Sequence, residues 1–153
     1  MANKTLDFNK KSFKKKEKKD YGPLKLELIN FTENESLELK ISFRHLSTNE
    51  ILALSFRDRL TYKKHVKSSM IFFLENDKSF SCKIPFKEYS LEAIVGTGRG
   101  RDLDSFGLTI KPFLDSLEGF YIESDSFLHM KYLTFSQIIG EGFFIIFKIR
   151  AVH

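Results

Sequence analysis

The stretch Met70–Phe86, MIFFLENDKSFSCKIPF, limits the fold of this chain more than any other. It reads as two strands around a tight turn at Asn76-Asp77-Lys78. Ile71 and Phe73 alternate with Phe72 and Leu74, which puts apolar side chains on both faces of a pleated strand. On the return, Phe80, Cys82 and Ile84 share one face and Ser79, Ser81 and Lys83 the other. Asn and Asp tolerate the left-handed backbone of a short hairpin turn. Pro85 cannot donate to a ladder and ends the second strand.

Period-two alternation recurs on both sides of this stretch. Leu24–Phe31 alternates apolar with charged residues, and Ser36–Phe43 does so more cleanly, with Leu37, Leu39, Ile41 and Phe43 on one face. The polar link Thr32-Glu33-Asn34-Glu35 makes the two an antiparallel pair. Ser47 and Glu50 spell a capping box that favours a short helix from Thr48. Leu54, Phe56, Asp58 and Leu60 instead fit a strand through Leu52–Tyr62, and the strand is the reading preferred here. Tyr62–Lys67 is then a basic connection. Leu91–Val95, Phe106–Ile110, Phe120–Glu123, His129–Phe135 and Phe143–Val152 complete the strands. Lys111–Glu118 holds one or two helical turns, with Pro112 in the first turn and Gly119 at the end. Many short strands joined by turns predict an all-β fold. An antiparallel sandwich or a jelly-roll-like barrel with one or two short helices fits them, and an open sheet with packed helices is the alternative.

Charge divides the chain in two. The net charge is +5, and residues 1–19 carry eight lysines against Asp7 and Glu17. The rest holds 17 basic and 18 acidic residues. Lysines this dense repel one another, so residues 1–22 are expected to form a disordered arm on a β-rich body of residues 23–153. In the arm, Lys10, Lys11, Lys14, Lys15, Lys16, Lys18 and Lys19 can neutralise phosphates and release their counterions, which gives sequence-independent binding to DNA or RNA. The same composition suits nuclear import machinery, a membrane surface, an acidic protein or a plain solubilising tail. A second cationic element is the loop Gly96-Thr97-Gly98-Arg99-Gly100-Arg101. Its glycines let amides approach an anion, and Arg99 and Arg101 offer guanidinium forks. A plain exposed hairpin loop is the competing reading.

Other chemistry finds little support. A lone cysteine, Cys82, excludes an internal disulfide and reads as a buried thiol. The four histidines match no zinc spacing, and no nucleophile elbow occurs. No cofactor and no enzymatic activity are therefore expected. No apolar run is long enough to span a bilayer, and the N-terminus lacks a signal-peptide core. The expectation is a soluble intracellular protein, nuclear in a eukaryotic host or associated with a virion, and able to form a homo-oligomer.

Two resemblances add to this reading. In Arg101–Ile110, Asp102 and Gly107 resemble the signature of PilZ domains, but Asp104 stands in the serine position and the paired arginines of that family are missing. A basic arm before a small β body that ends in an apolar strand resembles satellite-virus capsid proteins. SMIFFLENDKSFSCKIPFKEY (Ser69–Tyr89) and FFIIFKIRAVH (Phe143–His153) resemble small nanovirus proteins, including nuclear shuttle proteins. The resemblance implies a non-enzymatic viral or phage accessory protein that binds nucleic acid through the arm, in genome transport or packaging. The competing class is a structural module of such a particle that binds protein through its β body.

Overall fold

A computed structural model describes residues 21–80 and 84–153. Five strands form one sheet: β1 (Lys25–Thr32), β2 (Ser36–Ser42), β3 (Tyr89–Thr97), β4 (Met130–Ile139) and β5 (Phe144–Ala151). Their order is β1-β2-β5-β3-β4. All neighbours are antiparallel except β3 and β4, which run parallel. Three helices accompany the sheet: α1 (Thr48–Ala53), α2 (Phe56–Asn76) and α3 (Phe106–Leu117). The fold is therefore α+β around an open mixed sheet. The all-β sandwich or jelly-roll expectation is overturned, and the sheet does not close into a barrel.

The alternating segments explain why the sheet forms. Leu37, Leu39 and Ile41 of β2 are buried, while Ser36, Glu38, Lys40 and Ser42 between them are not. The same period runs through β5, where Ile145, Phe147 and Ile149 point to the core, and through β3, where Leu91, Ala93 and Val95 do. On the opposite face the register sets Lys148 between Glu38 and Glu92. One face of the sheet is thus dry and under the helices, and the other is polar and open. The β1–β2 link is the expected short turn, with Asn34 in the left-handed region at φ 60°.

The organising stretch is not a hairpin. Met70–Asn76 is the last part of α2, Asp77 caps that helix through its amide on the Phe73 carbonyl, and Lys78–Phe80 is one 3₁₀ turn. The Asp77 carboxylate accepts from the Ser79 amide and hydroxyl, so the turn chemistry ends a helix here. Ser81, Cys82 and Lys83 lie outside the described residues, and with them the expectation of a buried thiol. Upstream, Ser55 caps α2 by accepting from the Asp58 amide. Tyr62, Val66, Met70 and Leu74 then recur every fourth residue as its buried stripe. The strand expected at Leu52–Tyr62 is accordingly replaced by α1 and the start of α2. The Ser47/Glu50 capping box is formed, with Glu50 N–H on Ser47 Oγ at 3.1 Å and Ser47 N–H on Glu50 Oε1 at 3.2 Å.

Two other expected strands are absent. Phe106–Ile110 begins α3, whose buried side chains include Phe106, Ile110, Phe113, Leu114 and Leu117. Pro112 sits inside that helix rather than in its first turn. Phe120–Glu123 makes isolated bridges through Ile122, to Phe86 and to Glu118. Aromatic rings join the layers: Phe43 meets Phe113 at 5.8 Å, Phe31 meets Tyr121 at 5.8 Å and Phe106 meets Phe135 at 6.2 Å. The link from β4 to β5 crosses the end of β3, with the Gly140 amide on the Thr97 carbonyl at 2.8 Å. Gly96 makes that crossing possible, because a Cβ there would stand 2.4 Å from the Phe144 ring and 2.8 Å from the Gly142 carbonyl oxygen.

Candidate functional site

The glycine loop leads from the end of β3 to α3. Arg101 is fixed by its main chain: its N–H donates to Gln137 Oε1 at 3.0 Å, and its carbonyl accepts from Gln137 Nε2 at 2.8 Å. One amide side chain on β4 thus clamps the two peptide groups that flank the Arg101 Cα. Beyond it, the Asp102 carbonyl accepts from the Ser105 amide and hydroxyl. Thr48 Oγ1 donates to the Ser105 carbonyl and ties the start of α1 to the start of α3. Between these elements lies a cleft of about 520 Å³, lined by Asn49, Gly100, Arg101, Asp102, Ser105 and Gln137 among others. Its walls are polar groups and glycine, which suits a hydrated or charged ligand better than an apolar one. Arg101 Nη1 is buried with no hydrogen-bond partner among the described residues. Arg99 is exposed on the loop and does not line the cleft. The structure therefore separates the two arginines that the sequence grouped.

His45 lies close to this end of the sheet. It is buried, and its Nε2 donates to the Gly96 carbonyl at 2.8 Å. Burial lowers its pKa from the ordinary histidine value, and the nearby Arg101 charge lowers it further, against the hydrogen bond to Gly96. The ring is neutral at neutral pH and serves as a core donor. Phe143 packs edge-on against it at 5.4 Å and carries the Arg44 guanidinium at 5.6 Å from its own centroid.

A larger cationic surface lies on α2. Its outward side exposes Arg57, Lys63, Lys64 and Lys67, with Asp58 as the acidic residue of this stretch. Arg59 is engaged elsewhere: Nε donates to the Ile51 carbonyl at 3.1 Å and Nη2 to the Leu52 carbonyl at 2.9 Å, closing the end of α1. Exposed rings accompany the charges, with Phe56 at the start of the helix and Phe72 near its end. A shallow groove along the second half of α2 is lined by Lys64, Lys67, Ser68, Ile71 and Phe72, and by Glu75. Tyr21, the first described residue, is lodged on the same helix. Its ring meets Tyr62 edge-on at 5.1 Å and His65 at 5.9 Å, its hydroxyl donates to the Asp58 carbonyl at 3.4 Å, and His65 Nε2 donates to the Gly22 carbonyl at 2.9 Å.

Lys10, Lys11, Lys14, Lys15, Lys16, Lys18 and Lys19 lie outside the described residues. The chain that carries them joins the fold at Tyr21, which packs on Tyr62 and His65 of α2. Sequence reading missed the lysines of α2 by treating Tyr62–Lys67 as a connection. The signal that identifies them is the four-residue spacing of Tyr62, Val66, Met70 and Leu74, which leaves the intervening lysines on the outside.

The opposite charge collects at the end of α3. Carboxylate oxygens of Asp115, Glu118 and Asp125 lie within 4.8 Å of one another. Lys111 bonds Asp115 Oδ1 at 2.8 Å and also pairs with Asp125 Oδ2. Burial alone would raise the Asp125 carboxyl, but the Lys111 hydrogen bond and charge outweigh it and hold that pKa below the ordinary value. Burial, and then Asp125 itself, push Glu118 upward. Burial opposes the charge on Lys111, and the two carboxylates overcome it and raise its pKa. The Lys111 ammonium pairs with two of these three carboxylates, which makes the group an ion-pair network that ties α3 to the loop after it.

Among the described residues, no helix is long and apolar enough to cross a membrane. Comparison with protein-family models, with curated proteins and with solved structures found no match.

Proposed function

We propose that this chain binds nucleic acid without sequence preference, through the lysines of residues 10–19 and the outward face of α2 acting as one cationic surface. The observation that carries the reading is the seat of Tyr21 and Gly22 on α2, against Tyr62, His65 and the Asp58 carbonyl. Lys18 and Lys19 stand only a few positions before Tyr21 in the sequence, so the basic stretch of residues 10–19 is tethered to the helix that carries Lys63, Lys64 and Lys67. Phosphates neutralised by such a surface release counterions, so affinity is salt-dependent and largely indifferent to sequence. Phe56 and Phe72 give the surface exposed rings on which unpaired bases can stack. The reading rests on charge and geometry. It does not rest on the layout resemblance to small viral proteins, whose all-β half the fold corrects.

The test is fluorescence anisotropy with labelled single- and double-stranded oligonucleotides over a salt series. The full chain is compared with a Lys63→Glu, Lys64→Glu, Lys67→Glu variant. The expected result is a steep fall of affinity with salt, and for the variant a loss on the order of a hundredfold with a slope shallower by about 3. If the unaltered chain does not bind at low salt, or the variant binds equally well with an unchanged slope, the proposal fails. That outcome leaves the competing reading, a module that binds protein through its sheet, which the exposed apolar residues of β4 favour.

A further inference from the structure

The two edges of the sheet are built differently. β1 carries Lys25 and Glu27 and is interrupted by a bulge between Leu28 and Asn30. Charges and bulges are the usual means of keeping an edge from pairing with another chain. β4 has neither along its middle. From Tyr132 to Ile139 it carries no charged residue, no proline and no shift in its register with β3. Its one charge, Lys131, is paired with Glu88 of the same chain at 3.5 Å.

Apolar exposure concentrates on this edge. Tyr132 is 67 % exposed, Leu133 42 % and Ile139 55 %, and just before the strand Phe127 is 82 % and Leu128 59 % exposed. By register with β3, Leu133 and Ile139 belong to the face that elsewhere is under the helices, and on β4 the helical layer reaches Phe135 while leaving these two exposed. We propose that β4 pairs antiparallel with β4 of a second copy, across a two-fold axis near Phe135, to give a continuous ten-stranded sheet.

Self-pairing suits this strand. With the axis at Phe135, Tyr132 stands opposite Ile138, Leu133 opposite Gln137 and Lys131 opposite Ile139. No charge meets its own copy, and both helical layers fall on the same side of the joined sheet. The size also fits. A large aromatic side chain covers roughly 150–250 Å², so the five exposed residues offer on the order of 500 Å² before the strand backbone is added. A stable interface takes about 800 Å² from each partner. The proposal is independent of nucleic-acid binding, which uses α2.

The experiment is sedimentation equilibrium of the full chain in reducing buffer, after nucleic acid has been removed at high salt. A dimer is expected for the unaltered chain. A Tyr132→Lys, Leu133→Lys variant should sediment as a monomer with an unchanged far-ultraviolet circular dichroism spectrum, because both side chains are already solvent-facing. A chain that stays monomeric up to its solubility limit overturns the proposal, as does a dimer that the folded lysine variant leaves intact. Should that variant fail to fold, Phe127→Ser, Leu128→Ser, outside the strand, is measured in its place and must weaken the dimer at least tenfold.

Discussion

Two charged regions of the helical layer invite comparison: the outward face of α2 and the end of α3. On α2, Arg57, Lys63, Lys64 and Lys67 face solvent together. At the end of α3, Lys111 stands among Asp115 and Asp125, and each charge there has an opposite beside it. The first region projects a field, whereas the second spends its charge on holding a helix to a loop. Their difference shows why the near balance of acids and bases in residues 20–153 is a poor guide to what the surface can attract. Electrostatic attraction depends on where charges sit within a screening length of about 10 Å, and a near-zero sum can hide a strong local excess.

Three measurements break or sharpen this contrast. The largest effect separates charge from its location. Lys63→Gln, Lys67→Gln removes two positive charges, and Asp115→Asn, Asp125→Asn removes two negative ones. In oligonucleotide titrations at low salt the first pair should weaken binding by roughly tenfold or more, while the second changes it by no more than about threefold. Equal and opposite changes would mean that only net charge matters. Next is Lys111→Met, which leaves the carboxylates of Asp115, Glu118 and Asp125 without their counter-charge. It should cost about 1 kcal/mol, seen as a melting point lower by roughly 2–4 °C, while nucleic-acid affinity falls much less than for the α2 pair. The smallest effect is seen by following side-chain carboxyl resonances in an NMR pH titration. Asp125 should titrate below the ordinary aspartate value and Glu118 above the ordinary glutamate value. The signs follow from linkage. The depressed Asp125 contributes stability above its unfolded pKa that is lost as pH falls through its folded pKa. The raised Glu118 opposes it, favouring the fold as it takes up its proton. In the Lys111→Met, Asp115→Asn protein Asp125 should titrate higher, because burial then acts without the ammonium that opposed it, while Glu118 stays raised by burial and by Asp125.

How far all this could be read from sequence depended on which neighbours a residue answers to. The β2 alternation was legible because one face of that strand meets the core and the other meets solvent. The Ser47/Glu50 box was legible because its hydrogen bonds are local. Met70–Phe86 misled because the stretch opens in the middle of a helix. Ile71, Phe72 and Phe73 have strand propensity, and the stripe that overrides it begins at Tyr62, in a segment rich in lysine. The same misreading removed Lys63, Lys64 and Lys67 from view as a surface. In the glycine loop, the place of Arg101 in a glycine-rich run was legible from the run itself. Its clamp was not, because Gln137 lies on another strand and only the parallel pairing of β3 with β4 brings the two together.

The place of β5 has a consequence in time. It lies between β2 and β3, and its residues follow every other described element in the chain. The β1–β2 hairpin and the β3–β4 pair can each form early, but no described strand joins them until residues 144–151 arrive. Contacts such as Leu39 with Phe147 span most of the chain, and a topology of this kind folds slowly. During synthesis the inner edges of β2 and β3 stay unpaired until β5 is made, and exposed strand edges of that kind are where chains associate wrongly. The protein is therefore most open to aggregation until residues 144–151 are in place, and its yield in the cell should depend on how quickly β5 finds its place.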